Sequence, residues 1–97
     1  MKKSIIRTYS AGVFYGEVDN VSHEVDGVSV TIRNCRRLWF WSGAASLSQL
    51  AVDGVSNPNG CKFTVVVDQM QVFGVIEIIP CTGKAQKSIE SVKEWRA

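Results

Sequence analysis

The stretch Val28-Ser29-Val30-Thr31-Ile32-Arg33-Asn34-Cys35-Arg36-Arg37-Leu38-Trp39-Phe40-Trp41 decides how the chain folds. Val28, Val30 and Ile32 alternate with Ser29, Thr31 and Arg33, the period-two pattern of a half-buried strand. Asn34-Cys35 links it closely to a second strand, Arg37 to Trp41. Alternation there puts Arg37, Trp39 and Trp41 on one face, and Leu38 and Phe40 on the other. The Leu38–Phe40 face reads as core. The opposite face sets a cation beside stacking rings, which suits a flat or anionic partner.

Working outward, Ser42-Gly43 breaks the strand, and Ala44 to Val52 reads as a short helix. Leu47, Leu50 and Ala51 share one side of it, Gly54 terminates it, and Ser46 offers a cap for a later start. Upstream, Ile5 to Tyr9 and Val13 to Val18 read as strands joined at Ser10-Ala11-Gly12, with Gly16 marking a bulge or bend. Asp19 to Gly27 is polar and ends in the hairpin-type dipeptide Asp26-Gly27. Downstream, Val55 to Gly60 is a loop, and Lys62 to Val67 and Val72 to Ile79 are strands, the second ended by Pro80. Thr82 caps a last helix with Ala85, Ile89, Val92 and Trp95 on one face and Lys84, Lys87, Glu90 and Lys93 mostly in water. The sum is a mainly β, α+β chain of about six strands, with one short inserted helix and a C-terminal helix. A small antiparallel barrel or a strongly curled sheet is the expected architecture, in a single domain over residues 1–97.

Composition excludes several classes. The chain is 45% hydrophobic and 21% charged, ordinary for a soluble globular protein, and no apolar run reaches the length of a membrane span. Met1-Lys2-Lys3 is basic, but Ser4 and Arg7 interrupt any signal-peptide core, so a cytoplasmic location is the default expectation. Cys35, Cys61 and Cys81 are widely spaced with no CxxC and one histidine beside them, which argues for buried apolar residues and against a metal site or disulfide framework. A net charge of +2 is too small for binding nucleic acid by bulk electrostatics.

No enzyme motif is present. His23 sits in a polar segment and reads as a solvated loop residue, no serine has a nucleophile-elbow setting, and the acids are scattered. Glu77 lies in an apolar run and is expected to pair with a base or face outward. A binding site is better supported. Arg36 and Arg37 offer charged forks for phosphate, and Trp39 and Trp41 offer faces for a base. Ser42, Gly43 and Ala44, at the strand-to-helix junction, offer backbone N–H groups to an anion. Lys62, after the Asn57-Pro58-Asn59-Gly60 loop, is placed to close the pocket.

The run Asn34 to Ala44, then Ser46-Leu47-Ser48-Gln49-Leu50-Ala51, Gly54, Cys61-Lys62-Phe63, Ile76 to Thr82, Ala85 to Ile89 and Trp95, resembles a family of small uncharacterised phage and prophage proteins. In size, strand richness and its aromatic-plus-arginine motif the chain is also similar in type to phage Thoeris anti-defence sponges. That second likeness implies sequestration of cyclic nucleotide-like immune signals, in pockets often formed between subunits. The resulting expectation is a non-enzymatic, homo-oligomeric phage protein that binds a small anionic, nucleotide-derived ligand without cofactor or metal. A protein–protein inhibitor or adaptor acting on a host defence component is the alternative. Single-stranded nucleic-acid binding is a further one.

Overall fold

The decisive stretch forms one strand, not two. In the computed structural model, which describes residues 2–97 and so leaves Met1 of the basic start outside, β3 runs unbroken from Gly27 to Phe40. Its continuity depends on Asn34, which takes the left-handed conformation (φ 47°). Register with β2 (Val13–Glu24) shifts there: Arg36 opposes Tyr15, whereas Arg33 opposes Glu17. Asn34 and Cys35 together therefore face Gly16, a bulge with its extra residue on β3. Glycine is required opposite it, since a Cβ on residue 16 would stand 2.6 Å from Cys35 Cβ and 2.7 Å from Ile32 Cγ2.

The remaining strands are β1 (Lys2–Thr8), β4 (Lys62–Phe63), β5 (Val67–Phe73) and β6 (Val75–Pro80). The named strands pair with one another antiparallel, in the order β4-β3-β2-β1-β6, with β5 also on β3. β3 is long enough to hold two partners on one edge, β5 along Ser29–Cys35 and β4 at Leu38 and Phe40. β5 and β6 sit at opposite edges of the sheet, yet only Gly74 (φ 69°) separates them in the chain. The sheet must therefore curl to bring its edges together. It stays open, so of the two expected architectures the curled sheet is the one formed. Among the described residues six strands are present as expected, but cut differently: two expected strands fuse into β3, and Val72–Ile79 divides at Gly74.

The polar segment after Val18 continues β2 to Glu24, opposite Gly27, with Val25-Asp26 as the turn. His23 is accordingly an exposed strand residue and not a loop residue. This part of the ribbon is polar because little covers it.

Curling gives the sheet two cores. Ile6, Phe14, Val30, Ile32, Cys35, Val72 and Val75 fill the inside of the curl. Ile5, Tyr15, Leu38 and Phe63 face the other way, toward α1 (Leu47–Asp53) and α2 (Gly83–Ser91), where Leu50, Ala51, Ile89 and Val92 meet them. Ser46 caps α1 by accepting from Gln49 N (3.1 Å), which is why the helix begins at Leu47 instead of Ala44. Gly54 ends it as expected, and Thr82 caps α2 by accepting from Ala85 N (3.1 Å). The Thr82 hydroxyl also donates to Val52 O (2.6 Å), tying the end of α1 to the start of α2. α2 stops at Ser91, so Trp95 does not share its buried face. The chain turns back instead: Glu94 pairs with Phe63 in a parallel bridge, and Trp95 N donates to Phe63 O (2.9 Å). Cys35 and Cys61 are buried, Cys81 is half-buried, and all three are free. Among the described residues no helix is long and apolar enough to cross a membrane.

Candidate functional site

Arg36 and Arg37 diverge. Past the bulge Arg36 points to the helix side with Leu38, and it is only 3% exposed. Its Nε donates to Thr64 O (3.0 Å), Nη1 to Ile89 O (3.2 Å) and Val92 O (3.0 Å), and Nη2 to Phe63 O (3.1 Å). The guanidinium thus closes the C-terminal end of α2 and fastens it to β4. Burial lowers its pKa, Glu94 opposes that shift, and the group stays charged. Arg36 is consequently an internal pin: its guanidinium is committed to these four carbonyls, and it meets the outside only as a small part of the lining of the cleft beside Tyr15 and Glu90.

Arg37 points to the face that carries no helix. Its guanidinium rests 4.8 Å from the centroid of the Phe14 ring, at the open end of the curl. Two residues on, Trp39 is 62% exposed. The pairing with β4 slips between Leu38 and Phe40, so alternation fails there and Phe40 lies opposite Lys62. Phe40, expected in the core, is more than half exposed, and directly opposed residues share a face. Lys62 Nζ lies 5.4 Å from the Trp95 ring, a cation–π contact across to the returning C-terminal segment. Glu94 anchors that segment by accepting from Val66 N (3.0 Å), and its carboxyl is held below the ordinary value chiefly by that bond and then by Arg96. A shallow cleft of about 550 Å³ runs beside it, lined by Thr64, Val65, Trp95, Arg96 and Ala97. Arg37, Trp39, Phe40, Lys62 and Trp95 thus gather at one corner of the sheet.

The other expected site residues are engaged elsewhere. Trp41, past the end of β3, packs against the helix-side core instead of standing beside Trp39. Ser42 N donates to Cys61 Sγ (3.4 Å), and Ser42 Oγ accepts from Asn57 Nδ2 (3.1 Å). Gly43 O accepts from Ser56 N (3.2 Å), and a Cβ on Gly43 would collide with the Ser56–Asn57 backbone. Ala44 packs against the core. Ser42 N and the Gly43 carbonyl are thus spent on a loop–loop contact, Gly43 stays exposed beside a cleft of about 320 Å³, and the α1 cap at Ser46 lies two residues beyond Ala44.

A polar cluster that the sequence pattern did not signal sits where β1, β2 and α2 meet. Tyr15 donates its hydroxyl to Glu90 Oε2 (2.5 Å), and Lys3 Nζ bonds the same oxygen (2.9 Å). Burial and then Glu90 push the Tyr15 phenol far up. Burial pulls the Glu90 carboxyl up, but the bonds from Tyr15 and Lys3 outweigh it and leave it lowered. The cluster borders a cleft of about 310 Å³. Its bonds join α2 to the sheet. Glu77 pairs with Arg7 at 3.0 Å, as expected of it.

An open, curled antiparallel sheet with two helices on one face and a cationic, aromatic corner defines a small α+β protein. A family model described as a domain of unknown function (DUF6948) matches residues 1–89, and the chain belongs to that family. No curated protein and no solved structure matches it. The matched range holds Arg37, Trp39, Phe40 and Lys62 but ends before Trp95, so the corner combines family residues with the segment that follows them.

Proposed function

We propose that the protein is a non-enzymatic binding module that holds a small anionic, cyclic-nucleotide-like ligand at the Arg37–Trp39–Lys62 corner. The observation that supports this is a largely exposed Trp39 two residues along β3 from Arg37, which rests over Phe14, and next to Phe40, whose cross-strand partner Lys62 rests by Trp95. A base stacks on such a ring for about 1–3 kcal/mol, while guanidinium and ammonium groups meet phosphate. Trp95 and Phe40 join the set, and Arg36, Trp41 and the Ser42–Ala44 segment leave it. The corner is open in one copy, so a homo-oligomer would enclose the ligand between subunits. Sequestration of an immune signal by a phage protein is the setting that the resemblance described above suggests.

Tryptophan fluorescence titration with cyclic di-AMP and with ADP-ribose tests the reading. Saturable quenching with one of them is expected, with the ligand recovered intact. Trp39→Ala and Arg37→Ala should each weaken binding at least ~10-fold, in line with loss of one stacking or charge-assisted contact. Flat titrations with both probes into the millimolar range would refute the nucleotide assignment. A second reading has its own support: Trp39 and Phe40 are adjacent and both largely exposed, as anchors of a protein interface are. Stoichiometric capture of one host protein, lost in Phe40→Ala, would favour an inhibitor or adaptor.

A further inference from the structure

The sheet is open, and its edges are not alike. The edge of β4 is covered: Glu94 pairs with Phe63, and Trp95 N donates to Phe63 O. Among the described residues β1 reaches β2 only as far as Val18, and the overhang beyond it carries Asp19, His23 and Glu24. β6 has Glu77 within it and ends in Pro80, which lacks an N–H. Charges, prolines and covering segments are the usual guards against pairing with another chain. β5 has no such guard beyond Asp68. It pairs with β3 on one edge and with no strand on the other, and five of its seven residues are exposed.

Both ends of this edge are closed off. Val66 N donates to Glu94 Oε2 (3.0 Å), and Gly74 O accepts from Tyr9 N (2.8 Å). Between them runs Val67-Asp68-Gln69-Met70-Gln71-Val72-Phe73, whose outward N–H and C=O groups match an antiparallel strand of the same length. A second copy of β5 supplies one. Two-fold antiparallel pairing keeps every residue on its own face of the sheet, and only the register centred on Met70 pairs the whole strand. It sets Val67 against Phe73, Asp68 against Val72, Gln69 against Gln71, and Met70 against itself. Exposed apolar side chains stand at both ends, Phe73 and Tyr9 at one, Val66 and Val67 at the other, and the two-fold brings one end onto the other. The strand's single charge raises no conflict. The two Asp68 carboxylates would stand as far apart as Asp68 and Val72 on one strand, about 14 Å, which exceeds the screening length of roughly 8–10 Å.

We propose that β5 is a dimer interface, pairing edge to edge with β5 of a second copy about a two-fold axis at Met70, so that one sheet runs through both subunits. A single strand edge buries less than the ~1,200 Å² of a standard interface, so the dimer is concentration-dependent. β5 follows β3 only along Ser29–Cys35, short of Arg37 and Trp39, and the pairing does not rest on a ligand at that corner.

Sedimentation equilibrium of the full chain, from roughly 10 μM to 1 mM, tests it. A monomer–dimer equilibrium with no larger species is expected. Gln69→Lys/Gln71→Lys sets lysine against lysine at both polar pairs and should weaken the dimer about tenfold, as should Gln69→Glu/Gln71→Glu with its opposed glutamates. An equimolar mixture of the two variants should form a heterodimer at least as tight as the unaltered dimer, since each lysine then faces a glutamate. That recovery also shows that both variants fold. Trp39→Ala should dimerise as the unaltered chain does. A chain that stays monomeric throughout, whether or not a foreign peptide adds to its edge, overturns the proposal. Open-ended polymers, or a mixture that dimerises no better than its components, overturn it equally.

Discussion

On the helix side of β3, Arg36 gives hydrogen bonds to four backbone carbonyls and fastens α2 to β4. On the helix-free side, Arg37 rests over the Phe14 ring with its charge open to solvent. The same division separates Trp41, packed on the core, from Trp39, standing in water. Residue type is identical within each pair, so it is position, not chemistry, that makes one member structural and leaves the other exposed.

Removing each arginine is the strongest way to break the contrast. Arg36→Ala deprives Thr64 O and Val92 O of a donor, whereas Phe63 O keeps Trp95 N and Ile89 O keeps Val92 N. A loss of about 2–4 kcal/mol in urea unfolding is expected, against less than about 1 kcal/mol for Arg37→Ala. Equal losses would mean that the two faces are not divided in this way. The tryptophans give a smaller version of the experiment: about 2 kcal/mol for Trp41→Ala, and within about 0.5 kcal/mol for Trp39→Ala. Trp39→Ala should still abolish quenching by a bound nucleotide.

Tyr15 sharpens the comparison through pH. Its phenol is raised above the ordinary 10.0 in the fold, so the stability this contributes is complete below pH 10 and lost as pH rises beyond it. Glu90 is lowered from 4.5, so its contribution is complete above that value and lost as pH falls through the folded pKa. Urea midpoints should therefore form a plateau with an acid and an alkaline shoulder. Tyr15→Phe should lower the plateau by about 1 kcal/mol and flatten both shoulders. An unchanged alkaline limb would detach Tyr15 from the helix-side network.

Local chemistry was legible where one residue decides the outcome. Ser46, Gly54 and Thr82 carry their caps in their side chains or lack of one, and Gly16 announced its bulge. Curling was legible in the short strands and glycines. Parity across irregularities was not. Alternation started afresh at Arg37 assigns Arg37 and Leu38 correctly, then fails at Phe40 and Trp41 because the β4 pairing slips one residue before. Arg36 could not be read as a pin, since its partners Thr64, Ile89 and Val92 come from sequence separations of 28, 53 and 56 residues. Trp95 was misplaced because helical spacing continued past Ser91, where the pairing of Glu94 with Phe63 overrides it.

The smallest expected effect probes the origin of the division. Val30 and Ile32 face the inside of the curl, and so does Cys35, an odd step further on. Without the extra residue at Asn34, Arg36 and Leu38 would continue on that inner side and Arg37 would meet the helices. Asn34 holds φ 47° and donates through Nδ2 to Glu17 Oε2 (2.9 Å) at the surface. Asn34→Gly relieves the left-handed conformation but frees the unfolded chain and drops an exposed hydrogen bond, so stability should stay within about 0.5 kcal/mol. Asn34→Val places a β-branched residue at positive φ and should lose about 1–2 kcal/mol. Arg36 makes its four bonds only on the helix side, so the valine chain is expected to keep the bulge under strain instead of slipping register. Amide shifts of Arg36 and Arg37 report this directly. Wholesale change in both, with stability retained, would show that the register had slipped and that the four bonds of Arg36 do not hold the bulge in place.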